Sequence, residues 1–226
     1  MAIAVVAGAS GGVGAALVRA LREQGAFDEV VTLARTGEPA FDITDEASIA
    51  AAAQALAGQD VRLVIDATGF LHGGAFQPEK SLRQLDPAHM LQSFSVNAMG
   101  PALMMKHFLP LCPREGRFVF ATLSARVGSI GDNKLGGWHS YRASKSALNQ
   151  FMRTAAVELA RTRPQAVCVC LHPGTVDTRM SQVFAKQGLD VRPPDVAAAD
   201  LLRVIETLTP QQTGGFFDFK GGAVPW

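Results

Sequence analysis

The pattern that most restricts the fold of this chain is a regular alternation of short apolar segments with longer segments of helical periodicity. Continuous apolar runs rich in β-branched residues are typical of strands buried on both faces of a parallel sheet, and helices supply the crossover connections between such strands. The predicted strands are residues 3–7, 30–34, 61–67, 117–123, 166–171 and 215–219, and the predicted helices are 15–24, 47–57, 90–109, 140–163 and 195–208. We therefore expect a single α/β domain over residues 1–226, with a doubly wound parallel sheet of about seven strands and helices on both faces.

The balance of residue types favours a large core and argues against several kinds of partner. Apolar residues make up 48% of the chain and charged residues 18%, against a usual charged share of about 25%. The net charge of +1 offers no basic surface for nucleic acid, and no apolar stretch is long enough to predict a membrane span. We find no secretory signal and three cysteines without framework spacing, so we expect a reducing, cytoplasmic location. Cys168 and Cys170 alternate with valines, which favours core packing, and we expect no metal site.

A cluster of glycines follows the first predicted strand directly. Glycines at a strand-to-helix turn let a dinucleotide pyrophosphate approach the backbone, and the helix N-terminus supplies free N–H groups and a positive dipole. The spacing here is G-x-x-x-G-x-G rather than G-x-G-x-x-G. The alternative is a tight turn that binds nothing. We expect a cofactor to contact this turn through Gly8, Ser10, Gly11, Gly12, Val13 and Gly14.

The end of the second predicted strand indicates which dinucleotide would bind. A carboxylate about 20 residues after the glycines would hold the adenosine 2′-hydroxyl of NAD(H), but this chain has Ala34-Arg35-Thr36 there. A guanidinium can pair with a 2′-phosphate through two hydrogen bonds. Arg35 therefore favours NADP(H) over NAD(H), unless it is only a solvated cation of the loop.

Tyr141, the only tyrosine of the chain, is followed four residues later by Lys145. On a helix this spacing places both side chains on one face. A free phenol has a pKa of about 10, and a nearby ammonium favours the phenolate and lowers that pKa. The pair can thus form a general acid for carbonyl reduction and a base for the reverse reaction. The alternative is a surface pair on an amphipathic helix.

Two more polar residues stand near this pair in the predicted fold. Ser124 follows a strand at its carboxyl end, where ligands bind in such sheets, and Asn97 lies in a long helix. With these residues the chain resembles the short-chain dehydrogenase/reductase family over its whole length, and within it the C-factor-like and sniffer-like carbonyl reductases. The resemblance rests on Gly8, Gly12, Gly14, Asp42, residues 66–69, Asn97, Ser124, Tyr141, Lys145 and residues 173–178, and for the subgroup on residues 78–82, 141–145 and 171–174.

The resemblance implies a Rossmann-type fold and a role for each matched residue. Tyr141 would donate the proton, and Lys145 would bind the nicotinamide ribose and lower the pKa of the phenol. Ser124 would hydrogen-bond the substrate oxygen, and Asn97 would hold a water in a proton relay. The implied cofactor contacts beyond the glycine turn and Arg35 are Asp42 and Ile43 at the adenine, Ala67, Thr68 and Gly69 along the middle, and Tyr141, Lys145, Pro173, Gly174, Val176 and Thr178 towards the nicotinamide.

The chain departs from the family pattern at two places that affect the site. Asp66-Ala67-Thr68-Gly69 replaces the common Asn-Asn-Ala-Gly, so the hydrogen bonds of that segment must be remade or lost. The family serine usually lies three residues before a glycine, whereas Ser124 lies four before Gly128. We expect Ser124 to fill the catalytic position, with Thr122 and Ser129 as the alternatives.

Two functions of different classes fit these residues. The first is an NADP(H)-dependent oxidoreductase that acts on a small carbonyl or alcohol substrate. The second is a sensor or signalling protein that binds NADP(H) without significant turnover. The combination of Tyr141, Lys145 and Asn97 favours chemistry, because a sensor has no need of them. The resemblance also implies a homodimer or homotetramer, and we expect neither nucleic acid nor a membrane as a partner.

Overall fold

A computed structural model describes residues 1–181 and 191–226 of the chain. In this part the strands are β1 (Ala2–Ala7), β2 (Glu29–Leu33), β3 (Asp60–Asp66), β4 (Phe118–Leu123), β5 (Ala166–His172), β6 (Thr175–Val176), β7 (Val191–Arg192) and β8 (Phe216–Asp218). The α-helices are α1 (Gly12–Gln24), α2 (Glu46–Gln54), α3 (Pro87–Phe94), α4 (Gly100–Phe108), α5 (His139–Ala160) and α6 (Pro194–Thr207). The family resemblance also implies that residues 179–192 cover the substrate, and residues 182–190 of this segment lie outside the described residues.

The strands form a doubly wound parallel sheet, which confirms the predicted fold class. Its order is β2-β1-β3-β4-β5-β8 and every pairing is parallel. The expectation of about seven strands is slightly too high for the described residues, because β6 and β7 pair only with each other and leave six strands in the central sheet. The chain reverses its direction of winding between β1 and β3, and the crevice at such a switch point is where ligands bind in these folds.

The apolar runs divide their side chains between two cores, one on each face of the sheet. In β1, Ile3 and Val5 belong to the core under α2, α4 and α5, whereas Ala4 and Val6 belong to the core under α1 and α6. The same alternation holds along β4, whose six residues are all buried. Burial on both faces explains why these strands have continuous apolar sequences rather than alternating ones.

Short-range signals in the sequence fix several helix ends. Asp45 and Asp86 lie at the N-caps of α2 and α3, and their carboxylates accept hydrogen bonds from the backbone N–H groups of Ala47 and His89. Gly25 ends α1 in the left-handed conformation, with φ of 63°.

The predicted helix over residues 90–109 is divided in the structure. Between α3 and α4, residues Ser95–Met99 form a π-helical turn. Gly100 follows this turn, and a Cβ there would lie 2.5 Å from the carbonyl oxygen of Ile43. A side chain at position 100 would therefore push away the loop that contains Asp42 and Ile43. The wide turn is of interest because single π-turns are frequent at functional sites, and Asn97 lies within it.

The described residues contain neither a helix that is long and apolar enough to cross a membrane nor a group of three potential metal ligands. Cys168 and Cys170 lie in β5, fully buried.

Candidate active site

A cleft of about 320 Å³ opens at the carboxyl ends of β1, β2 and β3, at the switch point of the sheet. Nine of the residues predicted to contact the cofactor line it: Gly8, Ser10, Gly11, Arg35, Asp42, Ile43, Ala67, Thr68 and Gly69. Six further lining residues were not predicted: Ala34, Phe41, Thr44, Phe70, Gln92 and Val96. Five of these adjoin predicted residues in sequence, since Val96 directly precedes Asn97. Gln92 comes from α3, and no local sequence signal would have identified it.

The glycine turn has the close packing that a cofactor cradle needs. Gly8 has φ of 74°, and a Cβ on it would lie 2.8 Å from the carbonyl carbon and oxygen of Ala67. A Cβ on Gly14 would overlap the carbonyl oxygen of Gly8, so α1 starts directly against the turn. Val13 packs beside it on the core under α1 and α6. Bulkier residues at positions 8 and 14 would open this part of the cleft.

The N-terminus of α1 is available to an anion. Gly11 is the N-cap and gives no side-chain cap hydrogen bond, and the first turn contains no acidic residue. The first N–H groups of a helix have no partner within it, and a phosphate can accept from them. Gly12 lies beside Thr178, since a Cβ at position 12 would approach Thr178 Cγ2 to 2.7 Å. The structure thus brings the segment after β5 up to the glycine turn.

Arg35 and Asp42 form the far end of the cleft. Arg35 is exposed, as a residue that reads a 2′-phosphate would be. The Asp42 carboxylate accepts hydrogen bonds from the backbone N–H of Thr44 at 2.9 Å and from its hydroxyl at 2.8 Å. These bonds, with a smaller effect of Arg35, hold the pKa of Asp42 below its usual value. Asp42 therefore remains charged and shapes the loop near the predicted adenine position.

Hydrogen bonds along residues 66–69 are remade rather than lost. Asp66 is fully buried, and its Oδ1 accepts from the N–H of Thr68 at 2.9 Å and from the Thr68 hydroxyl at 2.6 Å. Its Oδ2 accepts from the Thr122 hydroxyl at 2.8 Å. The carboxylate thus ties the end of β3 to the end of β4 and fixes the wall formed by Ala67 and Gly69.

The π-turn aims Asn97 at the end of this wall. Asn97 Oδ1 accepts from the N–H of Phe70 at 2.8 Å, and Nδ2 donates to the Phe70 carbonyl at 2.7 Å and to Ser144 Oγ at 3.1 Å. Gly69 lies directly between the cleft and the catalytic candidates, because a Cβ there would be 3.7 Å from Asn97 Oδ1 and 3.9 Å from Lys145 Nζ. Asn97 therefore links the cleft to helix α5.

Tyr141 and Lys145 both lie buried in the first part of α5. Lys145 Nζ donates to the carbonyl oxygen of Leu123 at 2.8 Å, and burial lowers its pKa to about 8, although nearby Asp66 acts in the opposite direction. Burial raises the pKa of Tyr141 to about 12. The sequence predicted that the nearby ammonium lowers the pKa of the phenol, whereas burial of the ring raises it.

The structure distinguishes the three candidates for the catalytic serine. Thr122 is bonded to Asp66, and Ser129 Oγ accepts the backbone N–H of Asp132 at 3.1 Å. Ser124 directly follows β4, next to the carbonyl group that binds Lys145, and its hydroxyl donates to Asn149 Oδ1 at 2.6 Å. Of the three, Ser124 stands at the edge of the sheet beside Lys145. The contact of Ser124 with Asn149 was not predicted from the sequence.

The segment after β5 approaches the glycine turn from the other side. The carbonyl oxygen of Pro173 accepts from Arg192 Nη1 at 3.1 Å, and Gly174 has φ of 80°. Val176 is buried in the short pairing of β6 with β7. The N–H of Thr178 donates to Ser181 Oγ at 3.0 Å. These contacts hold the predicted nicotinamide side of the site against α1.

Residues 2–188 match the family described as short chain dehydrogenase, and the chain belongs to that family. It is 37% identical over 147 residues to the C-signal of Myxococcus xanthus, covering 65% of this chain and 84% of that protein. It is 31% identical to 1-hydroxy-2-glutathionyl-2-methyl-3-butene dehydrogenase of Rhodococcus sp. (strain AD45), over the full length of both.

Among solved structures the fold is similar to that of the carbonyl reductase Sniffer of D. melanogaster, with a TM-score of 0.84 and 24% identity, covering 100% of this chain and 99% of that one. It is also similar to an NADPH-bound carbonyl reductase from chicken fatty liver, with a TM-score of 0.82 and 25% identity, covering 100% and 98%. The predicted resemblance to C-factor-like and sniffer-like carbonyl reductases is therefore confirmed.

Proposed function

We propose that the protein transfers a hydride between NADP(H) and a carbonyl or alcohol substrate, with Tyr141 as the group that gives or takes the proton. The observation that supports this most directly is the position of Gly69. This residue lines the cleft, and a Cβ on it would lie within 4 Å of both Asn97 Oδ1 and Lys145 Nζ. A cofactor in the cleft would therefore reach the residues with proton chemistry.

The geometry of the cleft supports a phosphorylated dinucleotide as its ligand. The turn at Gly8 leaves no space for a side chain, and the N-terminus of α1 keeps its N–H groups free of a side-chain cap. Arg35 at the far end supplies a guanidinium that pairs with a 2′-phosphate. We propose NADP(H) as the preferred cofactor for this reason, and the NADPH-bound relative supports it.

The chain's own residues would handle the proton and the substrate oxygen. When bound, the reduced nicotinamide supplies the hydride that forms the new C–H bond at the carbonyl carbon. Tyr141 gives its hydroxyl proton to the carbonyl oxygen. Ser124 donates a hydrogen bond to the same oxygen, and to do so its hydroxyl must rotate away from Asn149 Oδ1. In the reverse reaction Tyr141 takes the proton from the alcohol.

Lys145 and Asn97 would assist this proton transfer without contacting the substrate oxygen. The Lys145 ammonium, held by the Leu123 carbonyl, stabilises negative charge that develops on the phenol oxygen. Asn97 fixes the loop at Phe70 and joins it to Ser144 on α5. The alternative function, cofactor binding without turnover, has no need of a proton donor such as Tyr141.

We further propose a cytoplasmic homodimer or homotetramer. Cys112, Cys168 and Cys170 are free and buried, as is usual in a reducing compartment. Phe151 and Val157 are exposed apolar residues on α5, and self-association would cover them. The molecular mass in solution, measured by light scattering, tests the oligomer.

The experiment that tests the function is NADPH oxidation, followed by absorbance, against a panel of aldehydes, ketones and quinones. NADPH binding is measured separately by fluorescence titration. Turnover with any compound supports the oxidoreductase, and its absence in folded protein that binds NADPH supports the sensor. Failure to bind NADPH would contradict both.

A further inference from the structure

Helix α5 presents Tyr141 and Lys145, yet its own N-cap residue gives it no side-chain cap. The N-cap is Trp138, which has positive φ and no side-chain cap hydrogen bond, and the first turn contains no acidic residue. The free N–H groups of a helix start need partners when they are buried. Ser140 is 1% exposed, so its N–H requires an acceptor from elsewhere in the chain.

Glu79, more than fifty positions earlier in the chain, supplies this acceptor. Its side chain is 2% exposed, and both carboxylate oxygens lie 3.3 Å from the backbone nitrogen of Ser140. The Ser140 hydroxyl also donates to Glu79 Oε1. The backbone carbonyl of Glu79 accepts from the N–H of Trp138 at 2.5 Å. One residue therefore holds both the N-cap and the first turn of α5.

His89 encloses the carboxylate from the other side. Its Nδ1 lies 3.4 Å from Glu79 Oε1, and its ring stacks on Phe76 with centroids 5.0 Å apart. A buried carboxylate is expensive unless it is hydrogen-bonded and paired. The Glu79 carboxylate thus receives donors from α5 and faces a ring on α3, so it fixes these two elements relative to each other.

We propose that Glu79 is a positioning residue for catalysis, which holds the first turn of α5 so that Tyr141 reaches the substrate oxygen. This proposal rests on the proposed function, because it takes Tyr141 as the proton donor. Tyr141 directly follows Ser140, and its ring also contacts Trp138 edge to face, with centroids 6.3 Å apart. Glu79 and Ser140 do not line the described cofactor cleft. A loss of Glu79 should therefore impair the chemical step and leave cofactor binding nearly unchanged.

The test compares Glu79→Ala, Glu79→Gln and Ser140→Ala with Glu23→Ala, which removes an exposed glutamate on α1. Each variant is assayed for kcat, KM, the Kd of NADPH and the thermal midpoint. Glu79→Ala leaves the N–H and hydroxyl of Ser140 buried without an acceptor. We expect its kcat to fall about 10- to 100-fold, because small misplacements of a reacting group have effects of this size. The Kd of NADPH should change less than about threefold, since the cleft is intact.

The milder variants separate positioning from general destabilisation. Glu79→Gln keeps one acceptor oxygen, and Ser140→Ala removes only the hydroxyl donor, so each should lower kcat about fivefold, the effect of one hydrogen bond. Glu23→Ala should match the wild type. If Glu79→Ala does not fold, Ser140→Ala decides: unchanged kcat in that variant overturns the proposal.

Hydrogen exchange of the peptide that covers residues 137–145 gives a readout independent of turnover. Glu79→Ala should accelerate exchange there while leaving the peptide of the glycine turn unaffected. If the wild type has no turnover, the proposed function fails, and faster exchange still shows that Glu79 holds α5. Unchanged exchange, or a folded Glu79→Ala protein with wild-type kcat, overturns the positioning role.

Discussion

Replacing Gly8 with alanine tests the structure of the cofactor turn, and Gly58 provides a matched control. The two glycines have nearly equal φ angles, 74° and 77°. An alanine with positive φ costs about 1–2 kcal/mol, and this cost applies to both variants. At Gly58 a Cβ meets nothing within 4 Å, whereas at Gly8 it would lie 2.8 Å from two backbone atoms of Ala67.

The difference between the two variants therefore isolates the steric conflict with β3. Carbon atoms in contact prefer about 3.5–4.0 Å, so Gly8→Ala must shift the turn or Ala67 by several tenths of an ångström. Overpacking of this kind costs about 1–3 kcal/mol. We expect Gly58→Ala to lose about 1–2 kcal/mol of unfolding free energy and Gly8→Ala to lose about 2–5 kcal/mol. The Kd of NADPH should rise at least about tenfold in Gly8→Ala only.

Urea unfolding measures the stability of both variants, and fluorescence titration measures their NADPH affinity. The C-terminal end of β1 and the wall at Ala67 both contribute to the cleft, which is why stability and affinity should fall together. If Gly8→Ala equals Gly58→Ala in both measurements, the close approach of Gly8 to Ala67 has no role in the site, and the reasoning is refuted.

Three further substitutions test the charges around the site. Arg35→Asp should shift the ratio of NADPH to NADH affinity about 10- to 100-fold towards NADH, because a hydrogen bond to a charged group changes an affinity by about this factor. Arg22→Asp, at an exposed position, should leave this ratio unchanged. Titration with both cofactors measures the ratio. Asp66→Asn removes a carboxylate that raises the pKa of Lys145. If loss of the Lys145 charge sets the alkaline limb of the pH profile of kcat, that limb should move to lower pH. An unmoved limb would contradict this role of Lys145. Burial lowers the pKa of His172 from 6.5 to about 4, so the unfolded state binds more protons between these values and stability falls as pH drops through them. In His172→Asn the thermal midpoint should fall less over this range than in the wild type.

The fold could be predicted well because its signals are local. Strands β1, β4 and β5 are almost entirely apolar, and the glycine turn follows the first of them directly. The six strands predicted by residue range are those of the central sheet, and among the described residues no seventh strand joins them, since β6 and β7 pair only with each other. The division of the helix near Asn97 was not predicted either, because the apolar pattern of residues 90–109 is continuous across the π-turn Ser95–Met99.

Which residues of the candidate site lie near one another could largely be predicted, but their pKa values could not. The i, i+4 spacing correctly placed Tyr141 and Lys145 in one helix, yet the pKa of the phenol depends on enclosure, which sequence does not reveal. The contacts of Ser124 with Asn149 and of Ser140 with Glu79 were not predicted, because the partners are far apart in sequence. Such partners belong to the tertiary structure, and no spacing rule identifies them.

The most direct test of the central claim is the Tyr141→Phe variant, assayed for NADPH turnover and NADPH binding with a substrate found for the wild type. Phenylalanine keeps the ring that contacts Trp138 and removes only the hydroxyl. We predict that kcat falls about 10²- to 10⁴-fold, the usual contribution of a general acid, while the Kd of NADPH stays within about twofold. A Tyr141→Phe protein with wild-type kcat would contradict the proposal that this hydroxyl delivers the proton.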